Sequence, residues 1–346
     1  MTSRTTVTLT QVARHAGVST ATVSFVINGT KPVSPAVERR VRDAIAALGY
    51  HPSHAAQSLR TGRSATIGLL IPDLTNPFFP KLAQDIEREA RVRGYAVLLA
   101  DSHDDPRLQR EALTNLTRRG VDALLIVPAV GTGETLTSPI PLVLIDRDAG
   151  GQPTVQSDKT QGGRLAAAHV MALGHRRIVI LAGPDRQGQP GERVQGMLGA
   201  ARQAGISIPA SAIHHSGYGV EDGRAGTHAL LDAHPDATAL LAANDTLALG
   251  ALSAAHSRGL NVPTDLSLVG FDDISWAALS SPPLTTVRQD TQALARRAID
   301  RALAPPSATP PPAEPPVPTE LIVRGSTGPA PASVPSGQPS PTRRFP

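Results

Sequence analysis

The sequence predicts a chain in two parts: an N-terminal all-α helix-turn-helix headpiece, then an α/β body of two lobes built on parallel sheets. Three observations carry this. Short, well-capped helical patterns fill residues 8–48. From Thr66 onward, short apolar runs alternate with amphipathic helical patterns, the signature of parallel strands wrapped by helices. At 346 residues the chain is too long for one small domain, and one sheet holding all those runs would be overlarge, so the body divides in two.

Thr8 caps the first helix, and Gln11 three residues on completes a capping box. Leu9, Val12, Ala13 and Ala16 form its apolar face, and Gly17 ends it. Ser19 caps the second helix, with Val18 placed to staple onto Val23. Val23, Val26 and Ile27 face inward, which leaves Thr20, Ala21, Ser24, Phe25 and Asn28 outward. Such a pair with a short, mostly uncharged outer face fits a DNA major groove; the plainer alternative is a helical hairpin. Ser34-Pro35 opens a third helix through about Leu48, whose stripe of Val37, Val41, Ala44, Ile45 and Leu48 closes a three-helix core before Gly49.

Charge supports a nucleic-acid reader. Net charge is +4, yet residues 1–63 hold eight Lys/Arg against two acids, a net of +6, while the remainder has 25 against 27, a net of −2. A basic small domain on a near-neutral body is an electrostatic footprint for DNA. Arginine accounts for 30 of the 33 basic residues. Without cysteine, disulfide and thiolate chemistry are excluded. No signal-peptide core and no apolar run of membrane-spanning length is visible, so the expectation is a cytoplasmic protein with no membrane partner.

The run from Val7 to Gly62 resembles the DNA-binding headpiece and hinge of the LacI/GalR family of bacterial repressors, through TQVARHAGVSTATVS, Asn28-Gly29, VRDAIAALGYHP and AAQSLRTG. The resemblance implies a transcriptional regulator binding double-stranded operator DNA as a homodimer. Its base-reading positions fall on Thr20, Ala21 and Phe25, with Thr8, Ser19, Thr22, Ser24 and Asn28 completing the contacts of the headpiece (1–52). Here the chain departs from the common pattern, in which the position of Phe25 usually carries arginine. Alanine and phenylalanine make no bidentate contact to a purine but can meet a thymine methyl. Residues 53–63 match the family's hinge, whose short helix orders only on DNA. Within it Leu59 matches a minor-groove wedge and Ala56 the small residue between paired hinges, with His54 and Gln57 beside them.

The body, residues 64–328, resembles the type I periplasmic-binding-protein fold. Lobe 1 is expected at about 64–157 and 289–316 and lobe 2 at about 158–287 and 317–328, with crossovers near Gln156–Asp158, Val287–Gln289 and Pro315–Pro318. The strand runs are Ile67–Ile71, Ala96–Ala100, Ala123–Val127, Leu142–Ile145, Ile178–Leu181, Ala239–Ala242 and Leu266–Val269, with a last strand at Glu320–Val323. Ligands of open α/β sheets bind beyond the carboxyl ends of strands. The candidate effector residues are therefore Asp73, Phe78 and Phe79 after the first run and Asp146 after the fourth. Arg193 lies in ERVQGMLGA and Tyr218 matches a cleft aromatic; Asn244, Asp272 and Gln289 complete the set. One arginine, carboxylates, amides and rings suit a neutral polyhydroxylated ligand: a sugar first, a nucleoside or purine second. Lys159 follows Asp158 where many relatives have asparagine, so no specific sugar transfers.

The helix after Phe79, with Leu82, Ile86 and Ala90, lies where relatives build their dimer interface. No C-terminal leucine heptad follows, which favours a dimer over a tetramer. The tail 329–346, with Arg343 and Arg344, is expected to be disordered. Among rivals, an enzyme finds no support: Gly217-Tyr218-Gly219 and Gly131-Thr132-Gly133 complete no cofactor fingerprint. His214-His215 and His103-Asp104-Asp105 read as surface turns lacking metal-ligand spacing, so no cofactor or metal is expected. A periplasmic sugar carrier conflicts with the headpiece; a regulator answering to a protein partner stays open.

Overall fold

A computed structural model describes residues 7–50, 63–150, 152, 154–184, 191–305 and 314–331. Two compact units emerge, one up to Ala65 and one from Thr66 onward. The hinge positions His54, Ala56, Gln57 and Leu59 and the tail beyond Pro331 lie outside the described residues.

The headpiece forms as its caps dictate. Helix α1 (Leu9–Ala16) has the full capping box: the Thr8 amide donates to Gln11 Oε1 at 2.7 Å and the Gln11 amide to Thr8 Oγ1 at 3.4 Å. Gly17 then turns the chain at φ 66°, a conformation costly for a residue with a Cβ. Helix α2 (Thr20–Asn28) is capped by Ser19, whose hydroxyl accepts from the Thr22 amide at 3.1 Å. Helix α3 (Pro35–Leu48) starts on Ser34 with proline at its first position. Val12, Ala13, Ala16, Val23, Val41 and Ala44 are buried together, and Val18, Val26 and Ile27 pack around them.

Lobe 1 is a five-stranded parallel sheet, in spatial order β2 (Ala96–Asp101), β1 (Thr66–Ile71), β3 (Ala123–Ile126), β4 (Leu142–Ile145), β5 (Thr154–Val155). Helices α4 (Phe78–Val92) and α5 (Pro106–Arg118) cover it. The chain crosses into lobe 2 at Ser157, which bridges to Val317 of the returning segment.

Lobe 2 carries helices α6 (Lys159–Ala172), α7 (Glu192–Gln203), α8 (Val220–Ala233), α9 (Asp245–Ser257) and the short α10 (Ser275–Leu279). Its strands are β6 (Ile178–Ala182), β7 (Ile213–His215), β8 (Ala239–Ala242), β9 (Ser267–Asp272), β10 (Thr285–Gln289) and β11 (Thr319–Ile322). They lie in the order β11-β10-β9-β8-β6-β7, parallel except for antiparallel β11. After β10 the chain returns to lobe 1 as α11 (Thr291–Ala302), which packs on α4; Thr291 Oγ1 donates to the buried Asp85 at 2.6 Å.

Leu82, Ile86 and Ala90 are fully buried inside lobe 1, which leaves the opposite face of α4 for any partner contact. Two readings need correction. His214 and His215 belong to the edge strand β7, which is too short and polar to show an apolar run. Order also continues past Gly328: the Ala330 amide donates to the Leu173 carbonyl at 2.8 Å, and the buried His175 and Ser326 tie this segment to lobe 2.

The packing of α6 on α7 positions the site, and glycine makes it possible. A Cβ on Gly163 would lie 2.0 Å from the Arg193 carbonyl oxygen, and one on Gly196 2.1 Å from that of Thr160. The backbones therefore touch, and Lys159 and Arg193 start from adjacent helix ends. Gly163→Ala should lower stability by about 1–3 kcal/mol, as overpacking does. Gly199→Ala, in α7 with open space around it, should be neutral or gain up to about 1 kcal/mol. Urea melts of the two variants decide this, and equal midpoints would show that the helices do not need the contact.

Candidate functional site

In the headpiece, Thr20 and Ala21 are exposed while Thr22, Ser24, Phe25 and Asn28 are half-buried along one side of α2. Asn28 turns its amide back, donating to the Ser24 carbonyl at 2.6 Å, so its side chain helps close the helix end. The Lys31 ammonium stands 5.1 Å from the centre of the Phe25 ring. A flat apolar edge beside a cation can meet a base methyl and a phosphate together.

In the body, chain ends from both sheets converge on one cleft. It is lined by Asn76, Phe78, Phe79, Asp146 and Arg147 of lobe 1, and by Lys159, Arg193, His215, Tyr218, Asn244 and Asp272 of lobe 2. The central cavity is small, about 80 Å3, and a wider mouth of about 330 Å3 lies beyond Phe79, Arg147 and Tyr218. Phe78 and Phe79 meet edge to face with centroids 5.3 Å apart. Arg147 spans the lobes: its guanidinium lies 5.7 Å from the Phe79 ring and 5.6 Å from the Tyr218 ring, and it donates to Asp104 Oδ1 at 2.6 Å. Tyr218 reaches its position because Gly183 has no Cβ, which would fall 2.2 Å from the ring.

Both cleft carboxylates come from strained backbone: Asp146 has φ 64° and Asp272 φ 110°. Such conformations in non-glycine residues cost free energy and concentrate at functional sites. The Arg193 Nη2 sits 3.0 Å from Asp272 Oδ1, Nη1 donates to the Ala243 carbonyl at 2.5 Å, and the guanidinium lies 4.1 Å from the Phe271 ring. The Lys159 ammonium donates to the Asp146 carbonyl oxygen and faces Asp146 Oδ1 at 3.2 Å and Glu192 Oε2 at 3.6 Å. Asp146 Oδ1 is left without a hydrogen bond of good geometry.

Burial and pairing oppose each other here. Burial pushes the Asp146 carboxyl up, but the charges of Lys159, Arg193 and Arg147 outweigh it and hold it below the usual carboxylate range. Burial works against the charge on Arg193, and Asp272 and Asp146 more than restore it. Burial wins for Asp272, with Asp146 adding to it against the pull of Arg193, so this carboxyl is raised to about 6. Asp245 is also raised, by burial and by Asp272, although Thr286 Oγ1 and the Ile274 amide donate to it.

Most predicted effector residues do meet: Phe78, Phe79, Asp146, Arg193, Tyr218, Asn244 and Asp272 all line the central cavity. Two do not. Asp73 stands at the outer mouth with its Oδ1 taken by the Thr75 amide at 2.7 Å, and Asn76 holds the place inside. Gln289 lies behind Asp272, donating to its Oδ1 at 2.7 Å, and lines a separate cavity of about 710 Å3 toward Lys81 and Arg288. Its Oε1 has no partner. Sequence reasoning passed over Asp104, which comes from a loop it took for a surface turn. No group of His, Asp or Glu suited to a metal occurs among the described residues, and none of their helices is long and apolar enough to cross a membrane.

Comparison with known proteins matches residues 8–53 to the family model "Bacterial regulatory proteins, lacI family" and residues 167–327 to "Periplasmic binding protein-like domain". The chain is 34% identical over 299 residues to the HTH-type transcriptional repressor PurR of Haemophilus influenzae (strain PittEE), covering 85% of this chain and 89% of that protein. It is 35% identical over 326 residues to the ribose operon repressor of Halalkalibacterium halodurans, covering 92% and 97%. Among solved structures it resembles the lac repressor dimer bound to operator and the anti-inducer ONPF, with a TM-score of 0.81 and 29% identity over 93% of this chain and 99% of that one.

The raised Asp272 makes a signed prediction. Folded, this carboxyl keeps its proton up to about pH 6, whereas an ordinary aspartate loses it near 3.8. Its contribution to stability is thus fully present below 3.8 and lost as pH rises through 6. Between those values wild type should lose stability relative to Asp272→Asn, as read from thermal melts of both chains across that window. A difference that stays flat with pH would contradict the burial of an ionisable Asp272.

Proposed function

The chain belongs to the lacI family of bacterial regulatory proteins, and from that premise we propose that it is a repressor that docks as a homodimer on a pseudo-palindromic operator and is switched by a neutral, hydroxyl-rich effector, a sugar, held between its lobes. Two headpieces are needed because one reads only a half-site. Apolar surface on both lobes supports the dimer: Val92 and Leu99 are exposed at the α4–β2 edge of lobe 1. On lobe 2, Trp276 and Leu279 stand out beside a groove lined by Leu249, Leu252 and Leu260.

The observation that carries the effector class is the pairing of the cleft charges among themselves. Arg193 is matched by Asp272, Lys159 by Asp146, and Arg147 by Asp104. A charged ligand would have to break one of these pairs, whereas hydroxyls can donate to the spare acceptor on Asp146 and stack a ring face on Phe79 or Tyr218. DNA recognition on this reading rests on Thr20, Ala21 and Phe25 at bases, with Thr8, Ser19, Thr22, Ser24 and Asn28 flanking them. The hinge residues His54, Ala56, Gln57 and Leu59 would complete it from the minor groove.

Calorimetric titration of the full chain with pentoses, hexoses and disaccharides should find a binder, with nucleosides as the competing class. Arg193→Ala and Asp272→Ala should each abolish that heat while operator binding persists; retained ligand binding in both would move the effector elsewhere. Phe25→Ala should weaken operator binding by about 1–3 kcal/mol if the ring reads a methyl. Lys31→Ala should lessen the salt dependence of operator binding by roughly one counterion. Unchanged affinity and base preference in Phe25→Ala would remove that ring from the readout.

A further inference from the structure

We propose that Lys159 is a positioning residue of the effector cleft: an internal latch that ties lobe 2 to Asp146 of lobe 1 and holds the lobes together before any ligand arrives. The inference rests on the effector-cleft reading and adds a regulatory element to it. Three observations carry it.

Lys159 is the first residue of α6, one step past the crossover at Ser157 and Asp158, and it is 92% buried. A cation there meets two penalties, the positive end of a helix and the loss of water. It is offset mainly from the other lobe, where the carbonyl and carboxylate of Asp146 both face its ammonium. Among the described residues, Glu192, at the start of α7, is the one carboxylate of its own lobe within ion-pair reach.

Lysine itself is rare in this chain, with three among 33 basic residues. A compact ammonium with three donors fits a site bounded by two oxygens of one aspartate and a third from Glu192, which a planar guanidinium would not. The position is also chemically that of a ligand, since the ammonium donates to the Asp146 backbone carbonyl and stands 3.2 Å from the carboxylate oxygen that a bound hydroxyl would use. The central cavity is about 80 Å3, far below the roughly 300 Å3 of a typical ligand pocket. The cleft is narrow, with its own side chain as one of the groups that close in on it, and Arg147 over Tyr218 adds a second contact across the lobes.

Effector entry therefore requires the lobes to separate against this latch, and a bound ligand must take over the partner of Lys159 or share it. The latch sets how much of the closed form exists without effector, and so sets basal operator affinity.

The test uses the full chain with no small molecule. Lys159→Met and Lys159→Gln remove the ammonium from both Asp146 oxygens, and Asp146→Asn removes the carboxylate charge while leaving the backbone carbonyl in place. In small-angle scattering each should give a larger radius of gyration than wild type. In operator titrations each should shift the dissociation constant by about fivefold or more. Adding Lys159→Gln to Asp146→Asn should then change both readings by less than Lys159→Gln does alone, because the carboxylate contact is being broken twice. Scattering and operator affinity equal to wild type in the folded variants would overturn the latch, and so would full additivity in the double variant. Scattering reads the latch without ligand or DNA, whereas Arg193→Ala tests the effector site, so either idea can fail alone.

Discussion

Withdrawal of charge from water between the two lobes is the constraint on which the body depends. Asp146, Lys159, Arg193 and Asp272 are all nearly buried, and each alone would cost several kcal/mol to desolvate. They are tolerable only together, at ion-pair distances that fix where four separate segments must end. That requirement explains why β4 and β9 terminate in aspartates with positive φ. It also explains why α6 and α7 approach through Gly163 and Gly196, since a wider spacing would part Lys159 from the charges it meets. Gln289 and Ala243 contribute one hydrogen bond each to the assembled group. The backbone shape of lobe 2 and the electrostatics of the cleft are one problem with one solution.

The headpiece follows a different physics. Its core is six small or branched apolar side chains, and its precision comes from caps rather than buried charge. Thr8, Ser19 and Ser34 each satisfy an early amide, and Gly17, Gly29 and Gly49 each leave the helix in a left-handed conformation. Those signals are local, which is why helix boundaries here could be read from sequence to the residue. Charge is kept off the outer face of α2 and enters through Lys31 just beyond its end. On the proposed reading, sequence readout and phosphate attraction are thereby divided between neighbouring groups.

Legibility in the body followed the same divide between local and distant signals. Apolar runs marked β1 to β4, β6, β8 and β9, because a buried parallel strand must be apolar on both faces. The edge strands β5 and β7, two and three residues long, left no such trace. Most of the residues expected at strand ends line one cavity, in keeping with the rule for open α/β sheets. Direction was harder to see. Asp73 and Asn76 stand three residues apart in one loop, and only the geometry of the Asp73–Thr75 turn decides which of them enters. Gln289, expected at the ligand, lies behind Asp272 and faces a separate cavity. Asp104 depends on a partner 43 residues away, Arg147, so nothing around it in sequence reveals its role.

On the proposed effector reading, the paired charges of the cleft connect selectivity with switching. Buried polar groups discriminate chiefly by what a wrong ligand leaves unpaired. In this cleft the charges are already satisfied by one another, so an incoming molecule gains little from bulk charge and must offer donors at the right places. Every donor it offers to Asp146 acts on a group that also bridges the lobes through Lys159. Recognition and hinge geometry therefore share an atom. A ligand that binds there alters the force between the lobes as a direct result of its own hydrogen bonding. Linkage then requires that whatever stabilises one hinge angle from the DNA side changes effector affinity by the same factor. On the proposed reading, the coupling starts at a single buried carboxylate that both lobes share.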